Sequence, residues 1–228
     1  MKSLSPIGAQ NLEQREAASP GFDRSLEQNL GKLWFTAAAV VSALMVVLTL
    51  YRAHFEADLD PVIHSVLVRF SLGGENNVGA LWSGLLMLVV GVHAFDGWKL
   101  HKQDRPSLAA GWLSLALIMT IFSLDEIGSL HERVNLLLDN TWIELAPFAL
   151  ILIALYAHMS LAFLKHQDHQ KLWLWITGAF ILFTSVALQE YVEHRIPWPD
   201  SWRPIRTSAE EGSELVASLL LLWVAMGN

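Results

Sequence analysis

The sequence contains no cysteine, and only 16% of its 228 residues are charged. The absence of cysteine excludes disulfides, thiolate metal sites, iron–sulfur clusters and a cysteine nucleophile. Soluble domains average about 25% charged residues, so the shortage of charge argues against an ordinary soluble domain. The net charge is −7 and no lysine- or arginine-rich tract is present, which argues against nucleic acid as a partner.

Apolar residues make up 53% of the chain, and they are concentrated in long runs. Several runs approach the ~20 residues that a helix needs to cross a bilayer. We therefore predict an all-α fold: a polytopic membrane helix bundle of about six transmembrane helices, with a short interfacial helix at 60–71. The predicted spans are approximately 33–52, 79–98, 108–133, 142–164, 171–194 and 208–226.

The first 32 residues are polar, carry charges of both signs and lack the apolar core of a signal peptide. They predict a flexible N-terminal tail, followed by one membrane domain over 33–228. Six spans would place both termini on the same side, which then has nine Lys and Arg residues against six on the other. The positive-inside rule predicts that this side is cytoplasmic. We expect a bacterial inner-membrane protein that contacts membrane lipids and could form a homo-oligomer or join a larger membrane complex.

Acidic and imidazole side chains collect at the opposite, extracytoplasmic end of the predicted spans. Apolar sequence continues after these acids, as in "LVASLLLLWVAM" after Glu214. Ionisable residues embedded in apolar spans usually face a bundle interior or a cavity, and they are functional candidates. The residues concerned are Asp125, Glu126, His131, Glu132, Glu144, Glu190, Glu193, His194, Glu210, Glu211 and Glu214.

Helical spacing places several of these groups on shared faces. Asp125, Ser129 and Glu132 would share one face of the third span. Glu211 and Glu214 are three residues apart on the sixth span. Like charges at such spacings repel on a bare helix. Water, protons, neighbouring arginines or a bound cation must therefore compensate them.

Carboxylate oxygens and imidazole nitrogens suit Zn²⁺, Mn²⁺ or iron, so we predict a divalent metal ion as cofactor. One matching enzyme class is a dimetal oxidase or oxygenase built on a carboxylate bundle. Its Glu-x-x-His motif is missing, because position 128 is Gly and position 191 is Tyr. The other class is a hydrolase at the lipid interface, with a spare carboxylate as general base. The predicted metal ligands are Asp125, Glu126, His131, Glu132, Glu190, His194, Glu211 and Glu214, and the candidate catalytic groups are Ser129, Tyr191 and Glu193.

Two interpretations without catalysis stay open. Clustered intramembrane acids could carry protons or cations, in which case groups such as His93 and Asp96 could continue the path towards the cytoplasmic end. His158 is more typical of a satisfied interior or interfacial histidine. Alternatively, the acids are solvated helix ends that pair with nearby arginines, and the protein is a non-catalytic structural subunit of a membrane complex.

The segments "LDE…LHERV" (124–134) and "EEGSELVA" (210–217) resemble a group of uncharacterised bacterial multi-span membrane proteins with similar LDE…LHER and EEG-EL motifs. The resemblance implies that the two segments belong together in one membrane domain. It implies no particular reaction, because no activity is attached to that group.

Overall fold

A computed structural model describes the backbone of residues 24–55, 58–72, 77–129, 142–166, 168–195 and 202–227. Side chains are described for 29–55, 58–72, 77–129, 150–166, 168–185, 202 and 205–227. Over these residues the chain forms seven helices and no strand, which confirms the all-α prediction. The helices are α1 (Arg24–Phe55), α2 (Pro61–Phe70), α3 (Val78–His101), α4 (Pro106–Gly128), α5 (Trp142–Lys165), α6 (His169–Arg195) and α7 (Arg203–Met226).

The chain divides into two compact units, Met1–Ala37 and Ala38–Asn228, and the division falls within α1. The described part of the first unit is the beginning of α1, where Thr36 Oγ1 donates to the Lys32 carbonyl at 2.8 Å. Because α1 begins at Arg24, residues 24–32 are helical, although the sequence predicts them to be part of a flexible tail. Residues 1–23 lie outside the described part of the chain.

Three helices are long and apolar enough to cross a membrane: Asn29–Phe55, Val78–His101 and Pro106–Gly128. They correspond to the first three predicted spans. Helices α5, α6 and α7 overlap the other three, and the described side chains of α5 form the shorter apolar stretch Leu150–Lys165. The structure thus supports membrane association, while the crossing of the bilayer by α5, α6 and α7 stays a prediction.

Helix α4 ends at Gly128 instead of continuing to the predicted residue 133. Ser129 adopts a left-handed conformation with φ 49°, and its backbone N–H donates to the Asp125 carbonyl. A residue in this conformation closes a helix at its C-terminus. The helical face that was predicted to run from Asp125 to Glu132 therefore stops at Ser129.

A short helix, α2, is present where the sequence predicts an interfacial helix, between α1 and α3 in the sequence. Asp60 caps its first turn by accepting hydrogen bonds from the backbone of Val62 (2.8 Å) and Ile63 (3.4 Å). No residue of α2 is buried, and Val62 is 71% exposed. A helix with such an apolar, uncovered surface is typical of a membrane interface.

Helices α3 to α7 contact one another in a closed cycle: α3 with α4, α4 with α5, α5 with α6, α6 with α7, and α7 with α3. Glycines permit the closest approaches. A Cβ atom on Gly84 would lie 2.5 Å from Ile127 Cγ1, and one on Gly91 would lie 3.2 Å from Thr120 Oγ1. Small residues at helix interfaces allow membrane helices to pack closely, and here they bring α3 against α4.

Contacts between helix termini fix the direction of the helices. Ser107 Oγ and His166 Nε2 are 3.2 Å apart, so the start of α4 lies beside the end of α5. A Cβ on Gly227 would lie 3.6 Å from Lys171 Cε, so the end of α7 lies beside the start of α6. The C-terminus of α4 and the N-terminus of α7 therefore both lie at the opposite end of the helix bundle.

Candidate functional site

Two of the predicted acidic clusters lie close together, although they are far apart in sequence. Asp125 and Glu126 occupy the last turn of α4, and Glu210, Glu211 and Glu214 lie on the first half of α7. Glu214 is within electrostatic reach of the other four carboxyl groups. Both helices contact α3. We call these five residues, Asp125, Glu126, Glu210, Glu211 and Glu214, the acidic end.

Glu214 is the most buried member of the acidic end, with only 9% of its surface exposed. Asp125, Glu126, Glu210 and Glu211 are half-buried. Burying a charged carboxylate costs several kcal/mol unless a partner or a proton compensates it. Four further carboxyl groups nearby increase that cost, because like charges repel. The arrangement therefore calls for positive charge or protons at this end, from a bound cation, from solvent or from an arginine such as Arg206 on the first turn of α7.

Ser129 adds a hydroxyl next to the acidic turn of α4. The residue is 8% exposed, and its Oγ has no hydrogen-bond partner within the described part of the chain. Buried hydroxyl groups are nearly always hydrogen-bonded in native proteins. The Ser129 hydroxyl can therefore donate a hydrogen bond to, or accept one from, a ligand or water at this position. A candidate catalytic group needs a hydroxyl that is available in this way.

The remaining predicted ligands lie outside the described residues. Among the side chains that are described, no group of three or more His, Asp or Glu residues could hold a metal ion. A complete metal site would need ligands from the rest of the predicted set, and that site stays a prediction. The residues concerned are His131 and Glu132, together with the side chains of Glu190, Tyr191, Glu193 and His194 on α6.

Ser218 and Ser83 are polar residues of the core that sequence reasoning missed. Ser218 is completely buried and Ser83 is 1% exposed, and neither Oγ has a partner among the described residues. Ser218 lies four residues after Glu214, so it shares a face of α7 with that acid. The spacing is the signal that could have identified it. Serine within a helix usually bonds to its own backbone, as Ser114 Oγ does to the Ala110 carbonyl at 3.0 Å.

The polar groups nearer the other end have local partners. Asp96 Oδ1 accepts from Lys99 Nζ at 3.1 Å. His158 Nδ1 lies 3.2 Å from Ser114 Oγ. His158 thus has a hydrogen-bonding partner as predicted, but the residue is exposed, so the interior location is not confirmed.

The chain was compared with known protein families, curated proteins and solved structures. A family model described as "Domain of unknown function (DUF8692)" matches residues 32–227. This range contains α2 to α7 and most of α1, and it includes every predicted ligand. No curated protein and no solved structure matches the chain.

Proposed function

We propose that this chain, which belongs to the DUF8692 family, is an integral membrane protein that binds a divalent metal ion at its acidic end. About six helices cross the bacterial inner membrane in this proposal, with both termini in the cytoplasm and the acidic end on the extracytoplasmic side. The observation that carries the proposal is the buried Glu214, which is within electrostatic reach of four other carboxyl groups.

A divalent cation would offset the charge of the acidic end. Glu211 or Glu214 from α7 and Asp125 or Glu126 from α4 would supply oxygen ligands, and the Ser129 hydroxyl could add a further oxygen. The remaining ligands would come from the predicted residues outside the described part of the chain, because no three described acids could hold a metal ion together. Such ligands suit Mn²⁺, and added imidazole from His131 or His194 would suit Zn²⁺ or iron. Protons alone would neutralise the carboxylates without using the three oxygen-bearing residues at the end of α4, Asp125, Glu126 and Ser129.

A metal held at the end of the bundle would lie near the polar head groups of the bilayer. We therefore propose a metal-dependent hydrolase acting on lipid at the membrane interface, with a carboxylate such as Glu193 as general base and Ser129 or Tyr191 as an oxyanion donor. A dimetal oxidase or oxygenase is the alternative reaction class on the same ligands.

The proposal is tested by elemental analysis of the purified, detergent-solubilised protein. We expect stoichiometric Zn, Mn or Fe in the wild type and its loss in Glu211→Gln/Glu214→Gln. The matched control is Asp96→Asn/Asp168→Asn, which also removes two carboxylates but at the other end of the bundle, and it should retain the metal. A metal-free, folded wild type would overturn the proposal, as would equal loss of metal in the two double variants.

Cation or proton translocation is the second candidate function, and the unpartnered hydroxyls of Ser218 and Ser83 favour it. Both lie in the core, and Ser218 continues the face of α7 that carries Glu214 further into the helix. Polar groups in that position could hold water along a path through the bundle. Potential-driven flux into proteoliposomes that is lost in Ser218→Ala, with metal content unchanged, would support this function. Absence of flux in the wild type would exclude it.

A further inference from the structure

The end of the bundle opposite the acidic end carries a group of cationic and imidazole side chains. His101 is within electrostatic reach of Arg105, His166 and Lys171. These four residues, which we call the basic end, come from the C-terminus of α3, the residue before α4, the end of α5 and the start of α6. Four connections or termini thus contribute to one place, at the opposite end of α4 from Asp125.

Lys171 is fixed by contacts from several helices. Its Nζ lies 5.9 Å from the ring centre of Trp112 on α4 and 3.5 Å from Asp168 Oδ2. Its Cε faces Gly227 at the end of α7, where an added Cβ would be 3.6 Å away. His166 is also held in place, by Ser107. The basic end is therefore built by tertiary contacts and is more than a set of solvated loop residues.

The two nearby carboxylates only partly offset this charge. Asp168 is already engaged, because its Oδ1 accepts from the backbone N–H of Lys171 at 3.2 Å, and this contact caps the start of α6. Asp104 is exposed and acts on His101 less strongly than Arg105, Lys171 or His166. The basic end therefore retains capacity to bind an anion.

A buried donor beneath Lys171 also lacks a partner. Trp112 is completely buried, and its Nε1 has no hydrogen-bond partner within the described part of the chain. An unsatisfied buried N–H costs about 1–3 kcal/mol unless a ligand or water accepts from it. A water or ligand acceptor that reached the indole nitrogen would remove that cost.

We propose that the basic end binds a phosphate group, carried by an anionic phospholipid or free in solution. An arginine and a lysine supply the forked and the point-like donors that phosphate prefers, and the two imidazoles add further N–H donors. The same imidazoles could be considered as metal ligands, but the cations of Arg105 and Lys171 beside them oppose a bound metal ion.

The surroundings of the basic end favour a phospholipid as the source of the phosphate. On the last turns of α3, Lys99 Nζ lies 4.7 Å from the ring centre of Phe95, and Lys102 Nζ lies 5.4 Å from that of Trp98. Aromatic rings with long cationic side chains beside them are typical of the head-group region. Basic pockets between membrane helices bind anionic head groups there.

Lipid binding to the purified protein tests the site, with phosphatidylglycerol compared against phosphatidylcholine by native mass spectrometry. The variant Arg105→Gln/Lys171→Gln should bind phosphatidylglycerol about 30-fold more weakly, since each cation near an anionic lipid contributes about fivefold. The matched control Lys99→Gln/Lys102→Gln removes the same charge from the same end and should weaken phosphatidylglycerol binding much less, because Lys99 already pairs with Asp96 at 3.1 Å and neither lysine belongs to the basic end. Arg105→Gln alone, at an exposed position, should bind phosphatidylglycerol about fivefold more weakly. This single variant replaces the double variant in the test if the double variant fails to fold.

Titration of the detergent-solubilised protein with inorganic phosphate distinguishes the two sources. Phosphatidylglycerol binding that depends on Arg105 and Lys171, with no response to inorganic phosphate, supports a lipid head group. Inorganic phosphate binding that is lost in the same variant supports a soluble ligand. Equal weakening of phosphatidylglycerol binding in the two double variants would overturn the proposal, as would binding of neither ligand by the wild type.

Discussion

A Cβ atom added at Gly84 of α3 would lie closer to α4 than one added at Gly91, and replacing Gly84 by alanine tests the packing beneath the acidic end. An added Cβ would lie 2.5 Å from Ile127 Cγ1, 3.0 Å from Ile127 Cδ1 and 3.2 Å from the Ser123 carbonyl oxygen. Carbon atoms in contact prefer about 3.5–4.0 Å, so α3 and α4 must separate by roughly 1 Å or Ile127 must change rotamer. Ile127 directly follows Glu126, so the disturbance reaches the acidic turn.

The expected cost follows from two opposing terms. Overpacking destabilises by about 1–3 kcal/mol, whereas replacing glycine by alanine within a helix stabilises by about 1 kcal/mol. Gly84→Ala should therefore destabilise by up to about 2 kcal/mol, which lowers the unfolding temperature by roughly 4–8 °C in a chain of this size. Gly212→Ala is the matched control, because its Cβ would meet only Val46 Cγ2, at 3.4 Å. The control should be neutral or slightly stabilising.

Thermal unfolding in detergent, followed by circular dichroism, measures both variants. The double variant Gly84→Ala/Ile127→Ala should recover most of the loss, because it removes the atoms that the new Cβ would contact. Ile127 is 39% exposed, so its truncation alone should cost little. If Gly84→Ala proves as stable as Gly212→Ala, or if Ile127→Ala gives no recovery, the close packing of α3 on α4 is refuted.

Three further substitutions test separate features of the fold and the site. Thr49→Val should destabilise the protein by about 1–3 kcal/mol in thermal unfolding, because it removes the Oγ1 that accepts a hydrogen bond from the buried Leu72 N–H at 2.8 Å. The control Thr36→Val should change the stability by less than about 0.5 kcal/mol. Equal effects of the two substitutions would contradict this reasoning. Glu214→Gln should raise the unfolding temperature of chelator-treated protein by about 2–4 °C, because glutamine avoids the cost of either burying a charge beside four carboxyl groups or taking up a proton at neutral pH; a decrease there would argue that Glu214 has a favourable partner without metal. Asp60→Ala should cost about 1 kcal/mol by loss of the N-cap, seen as faster hydrogen exchange confined to α2, and unchanged exchange would argue against that cap.

The long apolar runs made three helices predictable that are long and apolar enough to cross a membrane, since hydropathy and length decide such candidates. The sequence also predicted that Asp125 and Glu214 lie at the same end of the bundle. Counting the predicted spans from the N-terminus places the end of the third span, with Asp125, on the same side as the start of the sixth span, with Glu214. The residue at which α4 ends was harder to predict from the sequence. "SLDEIGSLHERV" keeps an apolar, helix-like period through residue 134, and only the left-handed backbone of Ser129 ends the helix.

The basic end could not be predicted from the sequence. Its residues lie in or beside the connections between helices, and these connections contain no recognisable motif. His166 reads as a loop residue, yet its imidazole contacts Ser107, 59 positions earlier in the chain. Lys171 likewise reads as a solvated positive charge, yet it packs over the buried Trp112. These contacts depend on how helices α4 to α7 pack against one another. The pattern of side chains within a single segment does not predict that packing.

Titration with Mn²⁺, followed by electron paramagnetic resonance of the free ion, tests most directly the claim that α4 and α7 share one metal site. We expect one tightly bound Mn²⁺ per wild-type chain. Both Asp125→Asn/Glu126→Gln on α4 and Glu211→Gln/Glu214→Gln on α7 should abolish that binding, although the two pairs are on different helices. Unchanged binding in the α4 variant, or no tight binding in the wild type, would contradict the account.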